Sequence, residues 1–457
     1  MTNKKTGRKK TGSLAGRAKR FARVSGGMAG VGMKLAAQKI KGSRGMAERA
    51  QLAAALRQTL GNLKGPLMKV AQLLATIPDA VPPEYATELA QLQADAPPMS
   101  WVFVKRRMAG ELGADWQKKF KHFSEHAAHA ASLGQVHKAI TLAGETVACK
   151  LQYPDMASAV ASDLQQLKML FGVFEHFDKA VMTHDVHAEI AARLYEELDY
   201  TREATHAKLY AHMLARVDGV HVPTVHDDLS SPRLLTMQWL EGEKFALAID
   251  PRNQAARNQI ALNMFKAWYS PLYNFGVIHG DPHMGNYTVR PDNSINLFDF
   301  GCVRIFQPKL VAGVIDLYFA LHDNDDDKAV AAYQAWGFEK PSKELIDVLN
   351  IWARFVYAPI LQNKTRPIDE TNTGTYGRET AARVHAELRK IGRVKVPRGF
   401  VFMDRAAVGL GSVFLRLNAN LNWYTMFHEL IQGFDVQKLQ QKQQKILTSF
   451  NLSTSQD

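Results

Sequence analysis

Cysteine is nearly missing from this chain: 457 residues hold two, Cys149 and Cys302. That excludes a disulfide framework and suits a reducing compartment. Long apolar runs are missing too. The longest candidate, "VGLGSVFLRLNANLNWYTMF", is broken by Arg416 and three asparagines, so no spanning helix is expected. Acidic residues are scarce at the start, where the first 50 positions set 14 Lys/Arg against the single Glu48. The whole net charge of +13 belongs to that stretch, because the remainder holds 43 residues of each sign. A basic nucleic-acid-binding face on the folded body is therefore not expected, and neither is a nucleic-acid partner. What is present is ordinary for a folded protein: 46% hydrophobic and 22% charged residues, with length enough for two lobes.

The basic start has a pattern of its own. Leu14, Ala18, Phe21, Val24, Met28, Val31 and Leu35 recur at helical spacing with basic residues between them. A segment of this kind suits an anionic membrane surface. Gly26, Gly27, Gly30 and Gly32 work against a helix there, and a solubilising tail or an organelle transit peptide would have a similar composition. From Ala47 to about Thr76, Leu52, Leu56, Leu60, Leu63, Leu67, Val70 and Leu74 keep a period of three to four, which predicts helix broken at Gly65-Pro66. Strand-like runs follow in "FKHFSEH", "AASLGQVHKAI" and "ETVACKLQ", the last two separated by a turn at Leu142-Ala143-Gly144. Long helical patterns are expected over roughly 156–180 and 184–215, then a strand in "PRLLTMQWLEG". Past residue 250 the pattern is helical except around "VIHGDPHMGNYTVRPDNSINLFDFG". Strands first and helices after predict a two-lobed α+β fold.

Chemistry concentrates in "HGDPHMGN", residues 279–286, and in "DFG", residues 299–301. Asp281, Asn286 five positions later and Asp299 together supply two carboxylates and an amide. Phosphoryl transfer gathers negative charge, and oxygen ligands of this kind hold the magnesium ions that neutralise it. Lys150 stands inside the apolar strand "TVACKLQ", where it either faces solvent or meets an anion. Glu197, in the helical "EELDY", is a carboxylate able to hold such a lysine. Two parts of an ordinary protein kinase are absent. The expected Gly-rich phosphate loop is replaced by "HAASLGQVH", and Gly280 stands where an H-R-D loop has arginine. "DFG" is followed within about 15 residues by helical "VAGVIDLYFALHD" with no Ala-Pro-Glu, leaving little room for a peptide-docking platform.

Over roughly residues 47–430 the chain resembles the UbiB/AarF family of atypical kinases, linked to ubiquinone biosynthesis. "GPLMKVAQLLATIPDAVPPEYATELAQLQADAPP" is similar to the family's K-x-G-Q element, with Ala71 in place of its glycine. The resemblance implies a kinase-like fold with an N-terminal helical extension over the active site, in which Lys69 and Gln72 occlude protein substrates. It makes "AASLGQVHKA" the Ala-rich nucleotide loop, with Ala130, Ala131 and Ser132, and "EELDYTREA" the E-x-D element, with Glu197 and Asp199. Met237 and Trp239, on the strand running into the hinge, would add nucleotide contacts. Asp281, Lys150 and Glu197 would be catalytic, and Asn286 and Asp299 would hold Mg²⁺. ATP and magnesium are the expected cofactors. Expected partners are anionic lipids, through the basic arm, and quinone precursors or quinone-biosynthesis proteins. The expected place is the cytoplasm, peripherally at a membrane, or the mitochondrial matrix in a eukaryote. The expected divisions are a basic arm (1–45), the helical extension (46–117), an N-lobe (118–241), a helical C-lobe (242–450) and a tail (451–457). Two other readings stay open: a small-molecule phosphotransferase of the aminoglycoside or choline kinase type, and a non-catalytic scaffold binding nucleotide and lipid.

Overall fold

The computed structural model of the chain describes residues 99–131, 133–177, 183–370, 375–391 and 396–454. The basic arm, most of the helical extension, Lys69, Gln72 and Ser132 lie outside the described residues. The described part forms two compact units. One runs up to Tyr200 and includes Asp228–Thr236; the other takes Thr201–Asp227 and everything from Met237 onwards.

The first unit is built on a five-stranded sheet. Its strands are β1 (Phe120–Phe123), β2 (His129–Ala131), β3 (Gly134–Thr141), β4 (Thr146–Gln152) and β6 (Leu234–Gln238), the last contributing its first three residues to this unit. The path is β1-β3-β4-β6, with β2 also paired to β3. Alternation along β4 decides its two faces. Val147, Cys149 and Leu151 enter an apolar core with Phe120, Trp116 and the Val104 and Met108 of helix α1 (Trp101–Leu112). Burial pushes the Cys149 thiol up to about 12, so this cysteine is a small packing residue. The β3–β4 turn falls at Leu142-Ala143-Gly144 as expected, with Gly144 at φ +89°.

Two helices follow β4: α2 (Met156–Phe177) and α3 (Thr183–Glu197); then comes α4 (Tyr200–Leu214). The single helix expected over 184–215 is therefore two helices, broken at Leu198-Asp199. Both sides of the break bond outside the helix. Leu198 O accepts from Gln152 Nε2 at 3.0 Å, and Tyr200 N–H donates to Pro232 O at 3.3 Å. These tertiary bonds win over local helical periodicity.

The second unit is mainly helical, with two small sheets. One is ordered β5-β10-β9-β7, from β5 (Val220–His221), β7 (Glu243–Lys244), β9 (Tyr287–Val289) and β10 (Ile295–Leu297). The other pairs β8 (Val277–His279) with β11 (Val303–Ile305). Helix α5 (Gln254–Phe275) delivers the chain into β8. It starts where Asn253 accepts from Ala256 N–H at 2.9 Å and ends at Gly276, which has φ +66°. Gln443, buried on the C-terminal helix Val436–Ser449, donates to Phe275 O and Phe306 O at 2.9 and 2.8 Å. One amide thus pins the entry to β8 and the exit from β11. Fully buried Trp268, Tyr318, Tyr333 and Trp423 fill the core around them.

Candidate functional site

The β8–β11 ladder sets the geometry. Val303 stands opposite His279 and Ile305 opposite Val277, so the segment leaving β8 begins beside the segment entering β11. Gly280 N–H donates to Cys302 O at 2.7 Å. A Cβ at residue 280 would stand 2.7 Å from that same oxygen and 3.2 Å from Cys302 Sγ. Position 280 therefore has no space for the arginine of an H-R-D loop; the departure seen in the sequence has a steric reason.

His279 links the two motifs. Asp281 N–H donates to its Nδ1 at 3.2 Å, so the ring proton sits on Nε2, which donates to Asp299 O at 2.8 Å. The ring is buried beside Trp268, whose indole N–H donates to His279 O at 3.0 Å. Asn286 closes the loop by donating from Nδ2 to Asp281 O at 3.1 Å. That bond fixes the amide orientation and leaves Oδ1 as its acceptor end. Pro282 O accepts from the Tyr287 hydroxyl at 3.1 Å. Burial and the nearby Asp281 charge hold this phenol well above its usual range, so it stays a donor. Asp281 and Asn286 are themselves half-buried, within reach of solvent.

Asp299 adopts φ +58°, ψ 78° and caps the turn Phe300–Cys302, its carboxylate accepting from Gly301 N–H at 3.4 Å. Phe300 is buried against Tyr210, with ring centroids 5.3 Å apart. The structure thus ties the backbones of Asp281 and Asp299 to one histidine, with Asn286 bonded in turn to Asp281 O. A carboxylate and an amide oxygen fit magnesium, which takes one or two protein oxygens and fills its remaining positions with water and phosphate. Among the described residues no cluster of three His, Cys, Asp or Glu side chains could hold a metal, so the fit is to this sparse oxygen pair.

The first unit holds the expected lysine. Lys150 lies on the β4 face opposite Val147, Cys149 and Leu151, half-buried, with its ammonium 5.2 Å from the centre of the Tyr200 ring. It is a lysine directed away from the apolar core. Glu197 is the last residue of α3 and is half-buried; Asp199 is exposed in the break that follows. Ala130 and Ala131 fall in β2, paired with Gln135 and Gly134, and Ala130 is exposed. A Cβ on Gly134 would stand 2.2 Å from Leu151 O, so the glycine of "ASLGQ" serves close packing of β3 on β4. Met237 is buried in β6 and Trp239 half-buried just past it, both in the second unit.

Sequence reasoning passed over Glu203. It sits in the first turn of α4 and is 2% exposed, and a carboxylate so buried stands only with matched donors or cations. The signal was the last acid of "EELDYTREA", six residues beyond Glu197.

Residues 91–333 match the ABC1 atypical kinase-like domain. The chain belongs to the ABC1/UbiB family of atypical kinases. Among curated relatives, this ABC1 chain is 33% identical over 291 residues to Protein ACTIVITY OF BC1 COMPLEX KINASE 7, chloroplastic, of Arabidopsis thaliana, covering 62% of this chain and 41% of that protein. It is 31% identical over 288 residues to atypical kinase coq-8, mitochondrial, of Caenorhabditis elegans, covering 61% and 38%. The ABC1 chain thus spans about two fifths of the length of these relatives. Among solved structures it is similar to Rv3197 of Mycobacterium tuberculosis, determined as a complex with erythromycin. The TM-score is 0.60 at 28% identity, over 85% of this chain and 98% of that one. The fold is accordingly kinase-like, with mixed helix and sheet. No helix among the described residues is long and apolar enough to cross a membrane.

Proposed function

We propose that this ABC1-family chain is a magnesium-dependent, ATP-using atypical kinase or ATPase that supports quinone-lipid biosynthesis at a membrane surface. The single observation that supports it best is the His279 bridge, which fixes Asp281 and Asp299 from one imidazole through bonds of 3.2 and 2.8 Å. Asn286 and Asp299 would hold magnesium, and magnesium supplies the positive charge that a transferring phosphoryl group needs. Asp281 would orient the attacking hydroxyl or water and accept its proton. Lys150 would meet the phosphates, with Ala130, Ala131 and Ser132 lining the nucleotide and Met237 and Trp239 its base. The alanines lack the backbone freedom of a Gly-rich loop, which fits slow or restricted transfer better than general protein phosphorylation. Lys69 and Gln72 would restrict large acceptors further. The quinone pathway and the lipid surface enter through the family resemblance and the basic arm.

The test is a magnesium-dependent thermal shift with ATP, run beside ATP turnover with and without anionic vesicles. At a ligand concentration 100 times Kd, binding adds about 2.7 kcal/mol to stability. Asp299→Asn should lose most of the magnesium-dependent part, and Asp281→Asn should keep the shift while turnover falls. An unchanged shift in Asp299→Asn removes this residue from the metal site. Full turnover in Asp281→Asn removes the catalytic assignment.

A further inference from the structure

In addition to His279, the turn that bears Asp299 is held by two side chains from one helix. His206 Nδ1 donates to Phe300 O at 3.1 Å, and Arg202 Nη1 donates to Gly301 O at 3.0 Å. Arg202 and His206 are four residues apart on α4, so they share one helix face and address adjacent carbonyls. With the His279 bond to Asp299 O and the Gly280 bond to Cys302 O, four consecutive carbonyls, 299 to 302, each receive a donor. None of the four donors belongs to the turn itself.

Such complete restraint has a reason. Asp299 is one of the non-glycine residues with positive φ, at +58°. The left-handed region is disfavoured for an L-residue, and a strained conformation persists only where its surroundings over-determine it. The histidine has the chemistry for a permanent strut. It is 2% exposed, and burial with the Arg202 and Arg304 charges lowers its pKa to about 3, so near neutrality the ring is uncharged and keeps one N–H to donate. Arg202 adds a charged donor, which forms the stronger kind of hydrogen bond.

We infer that Arg202 and His206 are positioning residues: they lock the Asp299-Phe300-Gly301 turn in one conformation and so fix where the Asp299 carboxylate is presented. This rests on reading Asp299 as a metal ligand. It predicts that the turn does not interconvert between alternative states in the free protein.

Two measurements on the full chain test it. The first is hydrogen exchange of the peptide spanning 298–304 without nucleotide. Arg202→Met and His206→Leu should each speed exchange there by about ten-fold, the loss expected for a charge-assisted or buried hydrogen bond. Arg202→Lys and His206→Asn, which keep a donor, should recover part of it, and β3–β4 peptides should not change. If His206→Leu fails to fold, half-buried Arg202 decides alone. Exchange at the wild-type rate in Arg202→Met overturns the clamp. The second is the magnesium concentration for half-maximal ATP binding, which should rise at least five-fold in Arg202→Met. Faster exchange with an unchanged magnesium requirement overturns the positioning role. A wild-type chain that binds no magnesium nucleotide overturns the proposed function while leaving the exchange result to judge the clamp.

Discussion

Adding one methyl group at residue 280 should cost far more than its size suggests. In Gly280→Ala the new Cβ would stand 2.7 Å from Cys302 O and 3.2 Å from Cys302 Sγ. The nearer obstacle is backbone, at the residue just before β11, whose ladder with β8 ends one residue short of 280. The methyl cannot swing aside, so β8 and β11 must part. Overpacking of this kind costs roughly 1–3 kcal/mol. Parting the strands also stretches the Gly280–Cys302 bond of 2.7 Å, worth about 1 kcal/mol. A loss of about 2–4 kcal/mol is expected on those two terms. Gly411→Ala is the matched control: it lies in helix Arg398–Leu417 with nothing within 4 Å of its new Cβ, and alanine should stabilise it by up to about 1 kcal/mol. Urea unfolding followed by tryptophan fluorescence reads both, since Trp268 is bonded to His279 O at 3.0 Å. Should Gly280→Ala unfold within about 0.5 kcal/mol of wild type, the ladder does not constrain this position and the steric account is wrong.

Glu203→Gln should destabilise by about 2–3 kcal/mol because a 2% exposed carboxylate becomes a neutral amide in surroundings that accommodated a charge, whereas half-buried Glu197→Gln should cost under about 1 kcal/mol; equal losses in urea would show that burial does not set Glu203 apart. His206 makes stability pH-dependent. Its folded pKa of about 3 lies below the ordinary histidine value of 6.5, so the unfolded chain binds the extra proton between those values. Stability should therefore be full above about pH 6.5 and fall by roughly 1.4 kcal/mol per pH unit as the pH drops towards 3. His206→Asn should flatten that slope in urea titrations at pH 5 and 7; an identical slope would show that other groups set it. Deleting residues 1–45 should abolish salt-sensitive co-sedimentation with anionic vesicles, given about 1 kcal/mol per basic residue near the surface. Undiminished sedimentation of the shortened chain would make the arm a tail.

Much of the candidate site is legible in the sequence, because its residues are close along the chain or placed by strong local pattern. Asp281 and Asn286 are five apart in one loop, and Asp299 follows an apolar strand. Lys150 announced itself as a charge within β4. What the chain concealed was long-range. Arg202, Glu203 and His206 look like the polar face of an ordinary amphipathic helix, and only packing reveals that Glu203 and His206 are buried. The meaning of Gly280 was hidden for the same reason, since its constraint comes from Cys302, 22 positions away. The break between α3 and α4 depends on bonds to Gln152 and the carbonyl of Pro232, which no helical period contains. Domain limits at 117 and 241 remain expectations of sequence composition.

The unequal burial of the two thiols gives the native chain a single chemical handle. Cys149 is sealed in the β-sheet core, while Cys302 is partly open to solvent at the mouth of β11. A maleimide or alkylating agent of modest size should therefore modify the folded protein once, at Cys302, with no engineered substitution. Because the Cys302 carbonyl is bonded directly to Gly280, a fluorophore or spin label there would sit one residue from the Asp299-Phe300-Gly301 turn and two from Asp281 across the ladder. Native protein could then report nucleotide arrival as an optical or magnetic signal from within the loop pair.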